Sequence, residues 1–258
     1  MIFDTHAHLN DPRFDADRDE VIRGCFDENI CLILNIGCCI ESSYDCVEMA
    51  KKYPGIYATV GVHPHSAEEL NEEKFEELIK LSRMEKVCAI GEIGLDYYYD
   101  NSPRDVQKYW FDRQLAYAVE AGFPVVIHNR DAHKDTLDIL GKYDLTERGG
   151  VVHCFSGSVE VAREVIKMGL HISVGGALTF KNASRILQVA EAVPLERILL
   201  ETDCPYLTPE PLRGKRNDPR KTIYVAQKLA EIKGISTNEV IKVTRENGCK
   251  LFGIEYKA

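Results

Sequence analysis

Short runs of Ile, Val, Leu and Cys recur along the chain and alternate with longer stretches whose apolar residues return every three or four positions. Eight runs read as strands: MIFDTH, ICLILNIG, IYATVGVH, VCAIGEIG, PVVIH, GVVHCF, HISVGG and RILLETD. Strands so rich in Val, Ile and Leu, without polar alternation, suit a parallel sheet covered by helices. The intervening stretches supply those helices. Val21, Ile22, Cys25 and Phe26 share a face, as do Phe75, Leu78 and Ile79 with Ser82 behind. Ser102 followed by Pro103 predicts a helix start, Gly122 its end, and Ser236 with Glu239 a capping box for the last helix.

Eight such units in 258 residues fit an α/β chain folded as a (β/α)8 TIM barrel, typically about 250 residues long. No linker or low-complexity tract interrupts them, so residues 1–258 are expected to form a single domain. An open doubly wound sheet is the alternative. It would gather its site at one switch point, whereas polar motifs here end six different strands.

A net charge of −9 argues against binding nucleic acid through a broad basic surface, because such binding runs on phosphate neutralisation. Nine cysteines without CxxC pairing, and an N-terminus MIFDTHAHLN without a secretory pattern, point to reduced thiols and a cytoplasmic protein. No apolar run approaches the roughly 18 residues of a membrane span. Neither a membrane nor an obligatory protein partner is expected.

The chemistry concentrates where strands end. His6 and His8 lie two apart at the end of the first, so both imidazoles can face one ion. Glu92 ends the fourth in AIGEIGLD, His128 the fifth in VVIHNRD, His153 the sixth in VVHCFSGS and Asp203 the eighth in LLETDCP. In a parallel barrel those ends form the active face. Six titratable groups brought together there need partners, and divalent cations would satisfy them all at once.

DTHAHL, GVHPH, GEIGLDYY, the FxxQL at 111–115, VIHNRDA, HCFSGS and ETDCPYL, in that order from residue 4 to 207, resemble the TatD family of metal-dependent deoxyribonucleases within the amidohydrolase-like barrels. The resemblance implies two divalent ions (Mg, Mn or Zn) held by His6, His8, Glu92, His128, His153 and Asp203, with Glu92 bridging. It also implies a DNA or other phosphodiester substrate. A deoxyribonuclease of this kind, acting as a 3′-end exonuclease, would use Glu92 and Asp203 catalytically, Asp203 taking a proton from the attacking water. Many binuclear amidohydrolases place a carboxylated lysine at the fourth strand. Glu92 stands there instead, which favours phosphodiesters. An amidohydrolase of small amides or esters and a noncatalytic metal-binding scaffold are the competing readings. Four imidazoles suit zinc, manganese, iron or nickel, whereas the family's usual activator is magnesium.

By the same resemblance His63 and His65 lie near the substrate phosphate. Arg130 is placed to fork onto phosphate or to form an exposed salt bridge. The segment LRGKRNDPRK carries Arg213, Lys215, Arg216, Arg220 and Lys221 against a single Asp218, a candidate phosphate track or a solvated charge run. Tyr97, Tyr98 and Tyr99 can stack on bases or pack the loop. Asp4 and Glu201 are candidates to orient ligands from behind. Strand alternation turns Cys154 and Cys204 away from the metals as small core residues. Cys38 and Cys39 have no base beside them in sequence, and His133 and His171 show no partner.

Overall fold

A computed structural model describes residues 1–256. Its eight strands are β1 (Ile2–Ala7), β2 (Ile30–Asn35), β3 (Ile56–Val60), β4 (Val87–Asp96), β5 (Val125–Arg130), β6 (Gly150–Val152), β7 (His171–Val174) and β8 (Ile198–Leu200). They pair in parallel and in chain order. The ring closes where Ala7 bridges Cys204, His8 N donates to Cys204 O at 2.8 Å and Asp203 N donates to His6 O at 2.9 Å. Sequential order with closure is the barrel; the doubly wound alternative is excluded.

Phe3, Leu34, Ala89, Val126, Val151 and Leu199, from six strands, meet in one buried cluster that Phe252 and Ile254 join. Side chains from around the whole ring can meet only inside it, so the barrel is filled with hydrocarbon. The outward faces pack against α1 (Arg18–Asp27), α2 (Ile40–Lys52), α3 (Glu72–Ser82), α4 (Arg104–Ala121), α5 (His133–Leu140), α6 (Val159–Lys167), α7 (Ser184–Ala192) and α8 (Thr222–Lys233), with α9 (Thr237–Phe252) packing on β1 and β8. Val21, Ile22, Cys25, Phe75, Leu78 and Ser82 are buried as the helical spacing requires.

Several boundaries differ from expectation: β2, β3 and β7 stop short at Asn35, Val60 and Val174, and β4 runs on to Asp96. Pro103, not Ser102, precedes α4. The Ser102 hydroxyl instead joins His65 O and Glu68 N at 3.1 Å each, tying the loop after β3 to the loop after β4. Gly122 ends the helix at φ 75° as expected. Ser236 caps α9 by accepting from Glu239 N at 3.1 Å. Strands β6 and β8 stop at Val152 and Leu200, so His153, Glu201 and Asp203 stand on irregular backbone past the strand ends, and Asp203 takes φ 54°.

Two strands are irregular at the site itself. Pairing register shifts between Asp4 and Ala7 in β1, around His6, and between Ile90 and Ile93 in β4, around Glu92. Such irregularities re-aim side chains next to functional sites. Gly94 keeps β4 close to β5 here: at φ 143°, a Cβ on it would lie 2.0 Å from His128 O.

Candidate metal centre

Glu92 is 3% exposed, and its two oxygens divide the surrounding imidazoles. Oε2 lies 3.4 Å from His6 Nε2 and 3.8 Å from His8 Nε2. Oε1 lies 2.8 Å from His153 Nε2, 2.9 Å from His128 Nδ1 and 3.4 Å from His63 Nε2. Asp203 Oδ1 completes the first group, 3.3 Å from His8 Nε2 and 3.8 Å from His6 Nε2. The six residues singled out as ligands are therefore together, in two groups joined by one carboxylate.

The donor set suits divalent ions. Metal–ligand bonds of about 2.0–2.2 Å put neighbouring donors roughly 2.8–3.6 Å apart, close to the separations above. His6 Nε2 and His8 Nε2 face each other at 3.2 Å, as do His128 Nδ1 and His153 Nε2. Two imidazole nitrogens aimed at one another can share a proton, or both can offer lone pairs to a cation. Tautomers favour the second use. His8 Nδ1 lies 3.3 Å from Ile36 O, which only accepts, so Nδ1 keeps a proton and Nε2, which faces Asp203, is the nitrogen that gives up its proton to take a cation.

Electrostatics follow from this crowding. Burial would raise Glu92, but His153 and His63 together with hydrogen bonds from His128 and His153 hold it well below the usual carboxylate range. Burial opposes charge on His153 too; Glu92 and Glu201 carry it well above its ordinary value. Asp203 is lowered against burial by the His8 hydrogen bond and the nearby His6 charge. Burial, then His128, pushes His63 down to about 4, so its imidazole is neutral at neutral pH. His63 Nδ1 accepts His65 N at 3.1 Å, which leaves the proton on Nε2, facing Glu92.

Sequence reasoning missed Asp96. Fully buried, its Oδ2 lies 3.0 Å from His128 Nε2 and 2.9 Å from His65 Nε2, while Oδ1 accepts Tyr98 N and Tyr99 N at 2.9 Å each. The signal was its place four residues after Glu92 in one strand, on the same side of the pleat. Cys38 was also underread. Its Sγ lies 3.6 Å from Glu92 Oε2 and 3.7 Å from His8 Nδ1. Burial pushes the thiol far above its ordinary pKa, so it stays protonated, consistent with the expectation that it is no nucleophile.

Glu201 stands behind His153. Its carboxylate accepts Cys154 N at 2.7 Å and Ser173 Oγ at 2.5 Å, with Oε1 3.8 Å from His153 Nδ1. Asp4 does not reach a ligand ring. It accepts Thr202 N at 2.9 Å, Thr202 Oγ1 at 2.6 Å and His6 N at 3.3 Å, and burial raises it to about 8. Cys204 is buried in the core as expected. Cys154 is not: it is half-buried at φ 42°, past the strand end, where alternation no longer applies. His133 gains a partner in Asn129 Nδ2 at 2.8 Å, whereas the buried His171 Nδ1 has none.

The substrate-side candidates divide. Arg130 lies over Tyr98 and Tyr99, 4.1 and 4.9 Å from their centroids. Tyr97 packs against the core and donates to Asp135 at 2.7 Å, while Tyr98 and Tyr99 are exposed. Arg216 is engaged by Asp17 at 2.6 and 2.9 Å, and Arg213 covers Phe180.

A parallel barrel whose mouth gathers four imidazoles and two carboxylates in bridged groups has the design of a metal-dependent hydrolase. Residues 3–253 match the family described as TatD related DNase, and the chain belongs to that family. Over 254 residues, 98% of this chain and 100% of the relative, it is 46% identical to an uncharacterized metal-dependent hydrolase, YabD, of Bacillus subtilis. It is 32% identical over 262 residues, 100% of each chain, to the 3′-5′ ssDNA/RNA exonuclease TatD of Citrobacter rodentium. Its fold superposes on the crystal structure of YJJV, a TatD homolog from Escherichia coli, with a TM-score of 0.93 at 31% identity, covering 98% of both chains. Among the described residues no helix is long and apolar enough to cross a membrane.

Proposed function

We propose that this metal-dependent hydrolase is a nuclease, a deoxyribonuclease with 3′-5′ exonuclease action, that cleaves phosphodiester bonds with the help of two divalent ions. The observation that carries the reading is the division of imidazoles between the two oxygens of Glu92. His6, His8, Glu92 and Asp203 would hold one ion, and Glu92, His128 and His153 the other. When bound, such ions lower the pKa of water and offset charge on the phosphate and the departing oxygen.

The chain's own groups do the rest. Asp203 is ionised at neutral pH and, unlike Glu92, partly open to solvent, so it can take the proton of the attacking water. As water oxygen bonds to phosphorus, the bond to the leaving oxygen breaks and that oxygen takes up a proton from solvent, giving a phosphate terminus and a hydroxyl. His63, neutral with its proton on Nε2, donates to a nonbridging oxygen without releasing that proton. His65 is held by Asp96, and Arg130 at the rim supplies positive charge to the adjoining phosphate. Glu201 supports the reading from behind by fixing the backbone after His153.

The test is cleavage of single-stranded DNA by purified protein with added magnesium, manganese or zinc, and again with chelator. Chelator-sensitive cleavage is expected, and Asp203→Asn should retain the fold while losing turnover by at least about 100-fold. Hydrolysis of a small amide or ester with no action on any polynucleotide would favour the amidohydrolase alternative. Metal binding without hydrolysis of either would favour a scaffold.

A further inference from the structure

Nine large apolar or aromatic residues are exposed among the described residues, and four of them, Tyr98, Tyr99, Tyr206 and Leu207, fall in two short stretches at the barrel mouth. Tyr98 and Tyr99 follow β4, and Tyr206 and Leu207 follow β8. In a ring of eight strands paired in chain order, β4 and β8 are diametrically opposed. The exposed aromatics therefore face each other across the metal centre.

Each side has the same construction. Tyr98 and Tyr99 are 59% and 55% exposed, with ring centroids 4.9 Å apart and Arg130 over both. Tyr206 is 47% exposed and carries Arg13 over its ring at 4.1 Å. Each also leans on a site imidazole: Tyr99 is edge-on to His65 at 5.3 Å and Tyr206 to His8 at 6.4 Å. Backbone bonds fix the first pair, since Asp96 Oδ1 accepts both Tyr98 N and Tyr99 N. Arg13 is steadied by Asp11 at 2.7 Å. Tyr98 and Tyr99 meet edge to face at 89°, and aromatic rings left about half in water beside a site for phosphodiesters cost solvation that a stacked base would recover.

We propose that these two tyrosine–arginine groups are base-stacking platforms that grip an unpaired nucleic-acid strand on both sides of the scissile phosphate. This rests on the nuclease reading above and names the residues that would hold an unpaired strand: a duplex, whose base faces are covered by their neighbours, gains nothing from either platform. A flat ring with a guanidinium against it accepts any base, so the grip discriminates strand form rather than sequence.

The experiment compares an intact single-stranded oligonucleotide with one carrying abasic residues at its terminal positions. The measured quantity is the ratio of their kcat/KM values for wild type, Tyr98→Ala/Tyr99→Ala, Tyr206→Ala, the corresponding Phe variants and Tyr44→Ala, an exposed tyrosine on α2. Wild type should favour the intact strand by about tenfold or more, and each alanine variant should bring the ratio toward one. The Phe variants and Tyr44→Ala should keep it. In parallel, fluorescence anisotropy of the labelled intact strand is followed in chelator, and the alanine variants at the mouth should bind more weakly by a similar factor. A wild type that treats both strands alike, or alanine variants with unaltered ratios, overturns the platforms and leaves the nuclease reading intact. A wild type that cleaves no strand with any divalent metal overturns the nuclease reading instead, and the anisotropy series then decides the platforms: wild-type affinity in the alanine variants overturns them.

Discussion

Asp96 Oδ2 lies 3.0 Å from His128 Nε2, which turns the other ring nitrogen, Nδ1, toward Glu92 Oε1 at 2.9 Å. An imidazole that donates from one nitrogen to a carboxylate keeps its second nitrogen oriented and more basic, the usual support for a metal ligand.

Replacing Asp96 should act through His128 rather than through substrate chemistry. Asp96→Asn keeps the size and removes the charge, so affinity for one of the two ions should fall about 10- to 100-fold while the other is retained. Calorimetric titration with manganese or zinc would show one site weakening while the other keeps its wild-type affinity. Unchanged binding at both would mean that His128 needs no such support. The variant should also loosen the backbone at Tyr98 and Tyr99, whose N–H groups share the other carboxylate oxygen.

Glu92→Gln should behave differently. Each oxygen of Glu92 faces a separate group of imidazoles, and an amide presents only one oxygen and no charge. Both ions should weaken together, whereas His6→Ala should spare one of them. If Glu92→Gln retained one ion at wild-type affinity, the carboxylate would not be shared.

The residues that were legible in the sequence share one property: each stands at or just after the end of a short apolar run, whether the strand itself stops there or runs on, as β4 does past Glu92. His6, His8, Glu92, His128, His153 and Asp203 are exposed by that rule because a strand end fixes position without reference to side-chain direction. Direction was less legible. Cys154 was turned outward by alternation, yet the strand stops at Val152 and the rule stops with it. Asp96 ends its strand as well, and its spacing from Glu92 puts it on the same side, but its partners are 31 and 32 residues away, so local spacing does not name them. The tyrosine triplet read as a unit and divided, because burial of Tyr97 against the core depends on packing from helices elsewhere in the chain.

Acid should release the ions. His153, His128 and His8 are all raised above the ordinary value of 6.5, against burial, by hydrogen bonds and charge from Glu92, Asp96 and Asp203. Protons and ions compete for the same nitrogens, so apparent affinity should rise with pH. The sign for the metal-free protein is opposite. Groups whose folded pKa is raised contribute stability below the unfolded value of 6.5 and lose it as pH rises through the folded value. Glu92 and Asp203, lowered, keep their contribution until strong acid. His6, His63, His133 and His171, lowered, oppose this mainly below the unfolded value of 6.5, and Asp4, raised to about 8, adds to it, so between about pH 7 and 8 the metal-free melting temperature should fall, and the rise on adding metal should grow. A metal-induced rise that is equal at both pH values would contradict the competition.

The basic segment offers a last prediction, because charge count and free charge differ there. Arg216 is engaged by Asp17, Arg220 by Asp218 and Glu28, and Lys221 by Asp218. Arg213 and Lys215 form no ion pair among the described residues. Phosphates can release counterions only against charge that is not already neutralised, so the segment should contribute about two cations rather than five. Each phosphate contact on a single strand contributes about 0.7 to the slope of log affinity against log salt. Arg213→Ala and Lys215→Ala should each reduce the slope by about that amount, whereas Arg216→Ala should leave it near the wild-type value. Binding of a labelled single strand in chelator at several salt concentrations measures all three. Equal reductions from Arg213, Lys215 and Arg216 would mean that the Asp17 pair opens when nucleic acid binds and that the whole segment tracks phosphate.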